Sequence, residues 1–154
     1  MTEDLLRNKD NKYDKFFDQF QTITKVWGNE HILVNNESYA CKRLVIFPEH
    51  HVSLHSHINK DETFIFAGTE VIIFVQDTLY KITSGIVRVR PMQLHSFFSL
   101  YGGVLLEVST HDSASDTVRK FESGRCEYTE WLSKLSKANG KIPLQSWQST
   151  RKSS

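Results

Sequence analysis

Short runs rich in β-branched and aromatic residues, separated by turn residues, dominate the chain between about residues 22 and 110. The runs that we predict as strands are residues 31–34, 39–47, 52–57, 62–66, 70–76, 79–82, 86–90, 95–100 and 103–110. Turn formers such as Gly68, Asp77 and Gly85 lie between several of these runs. Many short strands at regular spacing are typical of an all-β sandwich or barrel, so the sequence predicts an all-β domain.

Helical periodicity is confined to the two ends of the chain. Aromatic residues repeat at helical spacing over about 12–20, and Tyr128, Trp131, Leu132 and Leu135 do so again near the C-terminus. Residues 113–120 are also predicted as a short helix, and the tail from about 138 as extended or disordered. We therefore divide the chain into an N-terminal extension (1–21), a β-barrel (22–112), a C-terminal helical segment (113–137) and a flexible tail (138–154).

Charge and hydropathy exclude several classes of partner. The 154 residues carry a formal net charge of +1, which gives no electrostatic reason to expect nucleic acid or a membrane surface as a partner. No apolar run approaches the roughly 20 residues that span a bilayer. The charged N-terminus has no apolar signal region, and Cys41 and Cys126 lack metal or redox spacing. A cytoplasmic protein with two free thiols is the expectation.

Four potential metal ligands stand out within the β-rich region. Alternate residues of a strand face the same side, so His55 and His57 are expected to project together. A short turn would bring Glu62 to the same point, and His95 follows within another strand-like run. Three imidazoles and one carboxylate suit a single divalent ion with open positions for water or substrate, and we favour Zn or Mn over Fe or Ni.

This ligand pattern resembles the two motifs of the cupin superfamily. The first cupin motif contains HxH followed by Glu, and the second ends in a His after a proline. The chain keeps all four ligands, although Glu49 and Met92 stand where the motifs have glycines, and Gly68 falls one place early. The resemblance implies a single jelly-roll β-barrel with short helices at both ends.

A closer resemblance is to sugar-isomerase cupins, which include type II mannose-6-phosphate isomerase domains and D-lyxose isomerases. The segments that resemble this group, in order over about 23–125, are Lys25-Val-Trp-Gly28, Tyr39-Ala-Cys-Lys-Arg-Leu44, Ser53-Leu-His55 to Glu62, Leu106-Glu-Val-Ser-Thr110 and Asp116-Thr-Val-Arg119-Lys-Phe-Glu-Ser-Gly-Arg125. Lys60 occupies the position where D-lyxose isomerases carry Lys and the mannose-6-phosphate enzymes carry Arg.

The resemblance implies aldose–ketose isomerisation of a sugar or sugar phosphate through a metal-stabilised enediolate. Lys60 is then the first candidate for a catalytic role, although a lysine in a turn is otherwise commonly solvated. Glu107 is the second candidate, as a general base. Its strand is otherwise apolar, so the carboxylate either faces solvent or is buried in the barrel, where desolvation would raise its pKa.

Several other charged residues have two interpretations. Lys42 and Arg43 alternate, so only one of them can line the pocket, and Arg88 and Arg90 share a face that is either phosphate-binding or solvated. We interpret Arg119 as a surface ion-pair partner, and His50, His51 and His111 as loop residues.

Two other functions stay open at this stage. One is a different cupin enzyme, a dioxygenase or an epimerase-like enzyme, because a fold does not fix the chemistry. The other is a non-catalytic module that binds a small molecule. We expect a homodimer, because a small barrel exposes strand edges and this chain carries additional aromatic helical segments at its ends.

Overall fold

The computed structural model describes residues 20–147, and these form a barrel of β-strands with one α-helix packed on its outside. The strands are β1 (Gln21–Lys25), β2 (Gly28–Asn35), β3 (Ala40–Ile46), β4 (His50–His51), β5 (Leu54–His57), β6 (Glu62–Val75), β7 (Thr78–Val89), β8 (His95–Ser99), β9 (Gly103–Ser109), β10 (Thr117–Phe121), β11 (Gly124–Arg125) and β12 (Leu144–Trp147); the helix is α1 (Tyr128–Asn139). The all-β fold class is confirmed. The amphipathic helix predicted over 12–20 falls on residues that lie, apart from Phe20, outside the described part.

Strand β6 links two halves of the barrel, one that contains β9 and one that contains β8. Its first half, Glu62–Phe66, pairs with β9, and its second half, from Ile72 to Val75, pairs with β8. The β6–β7 register shifts between Ala67 and Val71, where Gly68 adopts a φ of +99°. A bulge of this kind bends a strand, and here it lets one strand belong to both halves. The predicted strands 62–66 and 70–76 are therefore one continuous strand.

Two apolar clusters stabilise the barrel from inside and outside. The interior cluster contains Leu44, Ile46, Phe64, Phe66 and Phe97, among other residues. The outer cluster lies between the barrel wall and α1, and its buried members are Leu54, Phe74, Leu79, Phe98, Cys126, Trp131 and Leu135. Because strand side chains alternate, β8 supplies Phe97 to the first cluster and Phe98 to the second. The barrel wall is thus buried on both faces here.

The C-terminal helix predicted from the 128–135 periodicity is confirmed, and it ends at Gly140 in a left-handed conformation. Its indole Trp131 Nε1 donates a hydrogen bond to Ser96 Oγ on β8 (3.1 Å), which fixes α1 against the wall behind His95. Nowhere in residues 20–147 does a helix have both the length and the apolar character needed to cross a membrane.

The short helix predicted over 113–120 is wrong. Only Ala114–Asp116 forms one 3₁₀ turn, and Thr117–Phe121 is a strand that pairs antiparallel with β5. Strand β5 needs a partner on this side, and the β-branched residues Thr117 and Val118 suit that role. Within the predicted flexible tail, Leu144–Trp147 pairs in parallel with β7.

Gly28 lies where two strands approach too closely for a side chain. A Cβ atom placed there would lie 1.8 Å from the carbonyl oxygen of Val45, and the residue has a φ of +155°. We expect Gly28→Ala to lower the free energy of unfolding by about 1–3 kcal/mol, because strand β3 must move to relieve the overlap. Denaturant unfolding monitored by circular dichroism measures this change.

Gly124→Ala is the matched control for this variant. A Cβ at Gly124 meets only His51 Nε2, at an ordinary contact distance of 3.6 Å. Its unfolding midpoint should shift much less than that of Gly28→Ala. Equal shifts in the two variants would contradict the proposed overlap.

Candidate metal centre and active site

Three histidine side chains converge inside the barrel. Strand alternation directs His55 and His57 inward, while Leu54 packs into the outer cluster. His95 lies directly opposite His55 in the β5–β8 pairing. One ring nitrogen from each of the three histidines lies within 4.8 Å of the others, a separation that allows one metal ion to bind all three.

Oxygen atoms hold the outer nitrogen of each histidine ring. His55 Nδ1 lies 2.9 Å from the carbonyl oxygen of Ser53, and His95 Nδ1 lies 3.0 Å from that of Gln93. His57 Nδ1 lies 3.3 Å from Thr117 Oγ1. A carbonyl partner requires Nδ1 to carry the proton in His55 and His95, which leaves Nε2 as the free lone-pair donor. This arrangement is the one that metal-binding histidines ordinarily have.

Glu62 adds a carboxylate beside the three rings. Its Oε1 lies 3.5 Å from His57 Nε2, and its Oε2 lies 3.1 Å from His95 Nε2. Because His95 carries its proton on Nδ1, its Nε2 has none to donate, and Oε2 is a buried oxygen without a hydrogen-bonding partner in the described residues. A buried carboxylate oxygen directed at imidazole nitrogens is well suited to metal coordination.

The charges around this point also favour a cation. Four carboxyl groups and two ammonium groups are in mutual contact, and they belong to Glu30, Glu62, Glu107, Asp112, Lys42 and Lys60. This cluster carries more acidic than basic groups, and a divalent ion would offset the difference. The residues present therefore fit a divalent metal held by His55, His57, His95 and Glu62.

Lys60 lies at the centre of this charged cluster. Its Nζ lies 2.7 Å from Glu62 Oε1, 2.5 Å from Glu107 Oε1 and 2.9 Å from Asp112 Oδ1. Glu107 faces the interior beside Leu105 and is only 5% exposed, so the buried alternative for its strand face is the observed one. Lys60 and Glu107, which are distant in sequence, form an ion pair next to the three histidines.

The pKa values of this pair are displaced by burial and by charge. Burial disfavours the ammonium form of Lys60, but the carboxylates of Glu107, Glu62 and Asp112 outweigh it and raise the pKa of Lys60. Burial raises the pKa of Glu107, against the opposing effect of Lys60. Lys60 is therefore held as a hydrogen-bond donor, and Glu107 is the better proton acceptor of the two.

His55 and His57 are held in their neutral form. Burial, more than any neighbouring charge, lowers the pKa of His57 to about 4 and places that of His55 well below its usual range. Neutral imidazole is the form that coordinates metals, so burial favours the ligand state of both rings at neutral pH.

Asp116 fixes the turn that carries Lys60. Its carboxylate accepts hydrogen bonds from the backbone N–H of Asn59 (2.9 Å) and of Lys60 (3.0 Å), and from the Asn59 side chain. We expect Asp116→Ala to lower the free energy of unfolding by about 2–3 kcal/mol, since two backbone donors lose a charged acceptor. Denaturant titration measures it, and Asp61→Ala, which removes a surface ion pair with Arg88, should cost under about 1 kcal/mol.

The same variant has a defined pH dependence. Burial of Asp116 opposes its charge, but the Lys60 and Asn59 N–H groups outweigh burial and lower its pKa below 3.8. The stabilisation is therefore fully present above pH 3.8 and is lost as the pH falls through the folded-state pKa. The stability gap between wild type and Asp116→Ala should narrow below pH 3.8. A gap that widens in acid would contradict this assignment.

A cavity of about 830 Å³ opens over the histidines and the charged cluster. This volume is within the range of about 300–1,000 Å³ that is usual for small-molecule sites. Part of its wall is apolar and includes Trp27, Leu44 and Phe97. The cavity thus has a charged, metal-ligating side and an apolar side.

Some of the other charged residues line the cavity, and the rest lie outside it. Lys42 faces the cavity and Arg43 does not, as alternation predicts. Arg88 and Arg90 are outside the cavity, where Arg88 pairs with Asp61. Arg119 lies at the cavity wall, half exposed and 4.0 Å from Glu122.

The interpretation of His50 and His51 as loop residues is wrong, whereas His111 does lie in a loop. His50 and His51 form strand β4, and His51 is fully buried, with its ring edge-on to Phe121. His111 is exposed and bonds through Nδ1 to the carbonyl oxygen of Asn36. None of the three belongs to the three-histidine group.

Three residues of the site were not identified from the sequence. Asp112 and Glu30 pair with the buried lysines, and Trp27 lines the cavity. Asp112 lies in the loop after β9, where no local pattern marks it. Trp27 belongs to the Lys25-Val-Trp-Gly28 segment that resembles sugar-isomerase cupins, and this resemblance is the signal in the sequence that could have marked it.

No protein-family model and no curated protein sequence matches this chain. Solved structures do match it. A Streptomyces PAC13 variant with uridine has a TM-score of 0.60 at 9% identity, covering 74% of this chain and 92% of that chain. An RmlC-like cupin from Shewanella frigidimarina has a TM-score of 0.57 at 15% identity, covering 64% of this chain and 89% of that one. The chain has a cupin fold.

A third cupin-fold match is the capsular polysaccharide assembling protein CapF from Staphylococcus aureus. The TM-score is 0.57 at 12% identity, covering 72% of this chain. The chain spans only 38% of that CapF structure, and 40% of a second one solved with an inhibitor. At these identities the likeness establishes the fold, which agrees with the resemblance found in the sequence.

Proposed function

We propose that this chain is a metal-dependent aldose–ketose isomerase. The observation that carries the proposal is the ion pair between Lys60 and Glu107, buried beside three converging histidines and Glu62. A general base, a fixed ammonium group and a metal site at one cavity wall are the parts that proton transfer between adjacent carbons of a sugar requires.

The structural neighbours support the same class of ligand. CapF is described as assembling a capsular polysaccharide, and PAC13 was solved with uridine, a ribose-containing molecule. The compound named with each of these two neighbours therefore contains sugar. We propose isomerisation as the reaction on such a compound because several motifs of this chain resemble sugar-isomerase cupins. The Lys60–Glu62 segment is one of them.

The chemistry follows from the roles of the side chains. A divalent ion held by His55, His57, His95 and Glu62 would supply electrophilic polarisation of the sugar's carbonyl and hydroxyl oxygens. Glu107 takes the proton from C2 of the open-chain aldose and returns it to C1, while the proton of the O2 hydroxyl passes to O1. The carbonyl thereby moves to C2, and C1 becomes a hydroxymethyl carbon. Protonation of Glu107 weakens its hold on Lys60, and the N–H group so released donates a hydrogen bond to the oxygen on which negative charge develops.

Burial assists both groups. Glu107 and Lys60 are 5% and 3% exposed, so little water competes with the substrate for either. In such a site a hydrogen bond to a developing oxyanion is stronger than in water. Lys60 is held by three carboxylates, so its ammonium group is already oriented before substrate arrives.

The direct test has three measurements on the purified protein. Elemental analysis should find close to one divalent ion per chain, with Zn or Mn preferred to Fe or Ni. A panel of aldoses and aldose phosphates should reveal a ketose product. Proton exchange from substrate C2 into heavy water, followed by NMR, detects the reaction even when net conversion is small. Sugar binding without any C2 exchange would contradict the isomerase proposal and support a binding module.

The alternative oxygenase function predicts a different result. An oxygenase requires a redox-active metal and consumes dioxygen, whereas the proposed isomerase should turn over anaerobically with Zn or Mn. Oxygen uptake coupled to loss of substrate, measured with an oxygen electrode, would replace the isomerase proposal with the oxygenase one.

The cytoplasmic location stays a prediction, and a homodimer is part of our proposal. Large apolar side chains are exposed on the outer face of the barrel, among them Ile86 on β7 (70%) and Val108 on β9. Exposed apolar patches commonly mark association surfaces. Light scattering of the purified protein measures the oligomeric state, and a monomer at micromolar concentration would contradict the homodimer.

A further inference from the structure

Every cation on the inner wall of the cavity is already paired with acidic groups in the described residues. Lys60 contacts Glu62, Glu107 and Asp112. Lys42 Nζ lies 2.5 Å from Asp112 Oδ2 and 3.6 Å from Glu30 Oε2. Neither ammonium group can meet a phosphate without losing a carboxylate partner. The two lysines and a divalent ion would only balance the four carboxyl groups, so no excess positive charge is left there for a phosphate dianion, whose burial is then unfavourable.

The cations nearer the mouth do not form a phosphate site either. Lys25 Nζ and Arg119 Nε lie 3.9 Å and 4.0 Å from Glu30 and Glu122. Phosphate recognition ordinarily uses convergent arginines or a row of backbone N–H groups. Arg88 and Arg125, which make two-nitrogen contacts of the kind that arginine offers phosphate, bind Asp61 and Glu49 away from the cavity.

The rest of the cavity wall suits an uncharged molecule with hydroxyl groups. Trp27, Leu44 and Phe97 give one side an apolar surface, against which the C–H face of a sugar packs well. Neutral hydrogen-bonding side chains, including Gln21 and Thr24, lie on the β1 side of the same wall. Carboxylates such as Asp112 accept hydrogen bonds from hydroxyl groups, which phosphate oxygens cannot donate at neutral pH.

We propose that this cavity takes an uncharged polyhydroxylated ligand, a free sugar, and discriminates against phosphorylated sugars through the acidic groups that surround Lys42 and Lys60. The inference rests on the proposed function only in that both use the same cavity. Asp112 is the specificity-determining residue, because it neutralises both lysines at once.

The experiment compares matched pairs of probes on the full chain: D-mannose with D-mannose 6-phosphate, and D-ribose with D-ribose 5-phosphate. Binding is followed by tryptophan fluorescence, with Trp27→Phe to assign the signal, and turnover by C2 proton exchange. We expect each free sugar to bind at least about tenfold more tightly than its phosphate. Inorganic phosphate should not displace it.

Two variants test the cause of this preference. Asp112→Asn removes one acidic group, and both Lys42 and Lys60 lose an ion-pair partner. The preference for the free sugar should therefore shrink severalfold or reverse. Arg119→Gln should leave the ratio of the two affinities unchanged. Tighter binding of the phosphorylated sugars to wild type, especially if Arg119→Gln abolishes it, would overturn the inference.

The outcomes separate this inference from the proposed function. C2 exchange only with phosphorylated sugars would overturn the ligand class and leave the isomerase proposal intact. Binding of free sugars without exchange would contradict the isomerase proposal and uphold the ligand class. If none of the four probes binds, the inference that the cavity takes a free sugar is overturned.

Discussion

Replacing His57 with Ala is expected to lower the affinity for a divalent metal by more than about 100-fold, because loss of a group that only hydrogen-bonds to a metal ligand already costs about 10–100-fold. His57 is one of three imidazoles whose nitrogens lie within 4.8 Å of each other, and its neutral form is favoured by burial. Elemental analysis after dialysis against a metal buffer, and titration with Zn or Mn, measure the change.

A second readout of the same variant does not depend on activity. A metal that binds only the folded chain stabilises it by about 2.7 kcal/mol at a free concentration of 100 times Kd. Addition of Zn or Mn should therefore raise the Tm of wild type and leave that of His57→Ala nearly unchanged. His111→Gln, an exposed histidine outside the cluster, is the matched control and should behave as wild type.

Thr117→Val gives a graded version of this test. It removes the oxygen that lies 3.3 Å from His57 Nδ1 and keeps the β-branched shape of the side chain. Metal affinity should fall by about 10–100-fold, less than in His57→Ala. Retention of full metal content in His57→Ala would show that the three imidazoles do not bind one ion, and the proposed centre would have to be abandoned.

The part of this site that could be predicted is the part carried by strand alternation. Two histidines separated by one residue must share a face of a strand, so the projection of His55 and His57 to one side follows from the sequence. The pairing of His55 with His95 needs the β5–β8 register, which local pattern does not contain. In this chain the resemblance to cupin motifs supplied that long-range information.

The missed residues are those whose position depends on tertiary contacts. Asp112 reaches Lys42 and Lys60 only because the loop after β9 is held to β2: the Asn35 side chain bonds to both the N–H and the C=O of Asp112. No periodicity marks such a residue. The helix expected over 113–120 failed for a similar reason, since pairing with β5 determines the conformation of Thr117–Phe121.

The burial of Glu107 illustrates an intermediate case. Alternation placed it on the face of Leu105 and Ser109, but the pattern leaves open whether that face is the interior of the barrel. Pairing of β9 with both β3 and β6 decides it, because Glu107 is opposite Lys42 on one side and Phe64 on the other. Both neighbours are buried, and a carboxylate between them lines the interior.

Replacing Glu107 with Gln is expected to reduce kcat for C2 proton exchange by about 10²–10⁴-fold, the usual contribution of a general base. Gln keeps the size of the side chain and replaces the carboxylate with an amide, which is too weakly basic to accept the proton. The metal content should stay that of wild type, because Glu107 contacts Lys60 and is not one of the proposed metal ligands. NMR of exchange in heavy water, together with elemental analysis of the same sample, makes both measurements.

Lys60→Met tests the second half of the pair. Loss of the ammonium group should lower kcat by about 10²–10³-fold, as loss of one oxyanion donor does elsewhere, and should leave Glu62 and Glu107 without their shared cation. Glu130→Gln and Lys134→Met, which alter an exposed pair on α1, are the matched controls. Exchange at the wild-type rate in Glu107→Gln, with metal bound, would contradict a proton-transfer role for Glu107. The general base would then have to be another residue of the cavity. A loss of metal in either variant would instead show that the ion pair supports the histidine centre, because Lys60 bonds directly to Glu62 Oε1.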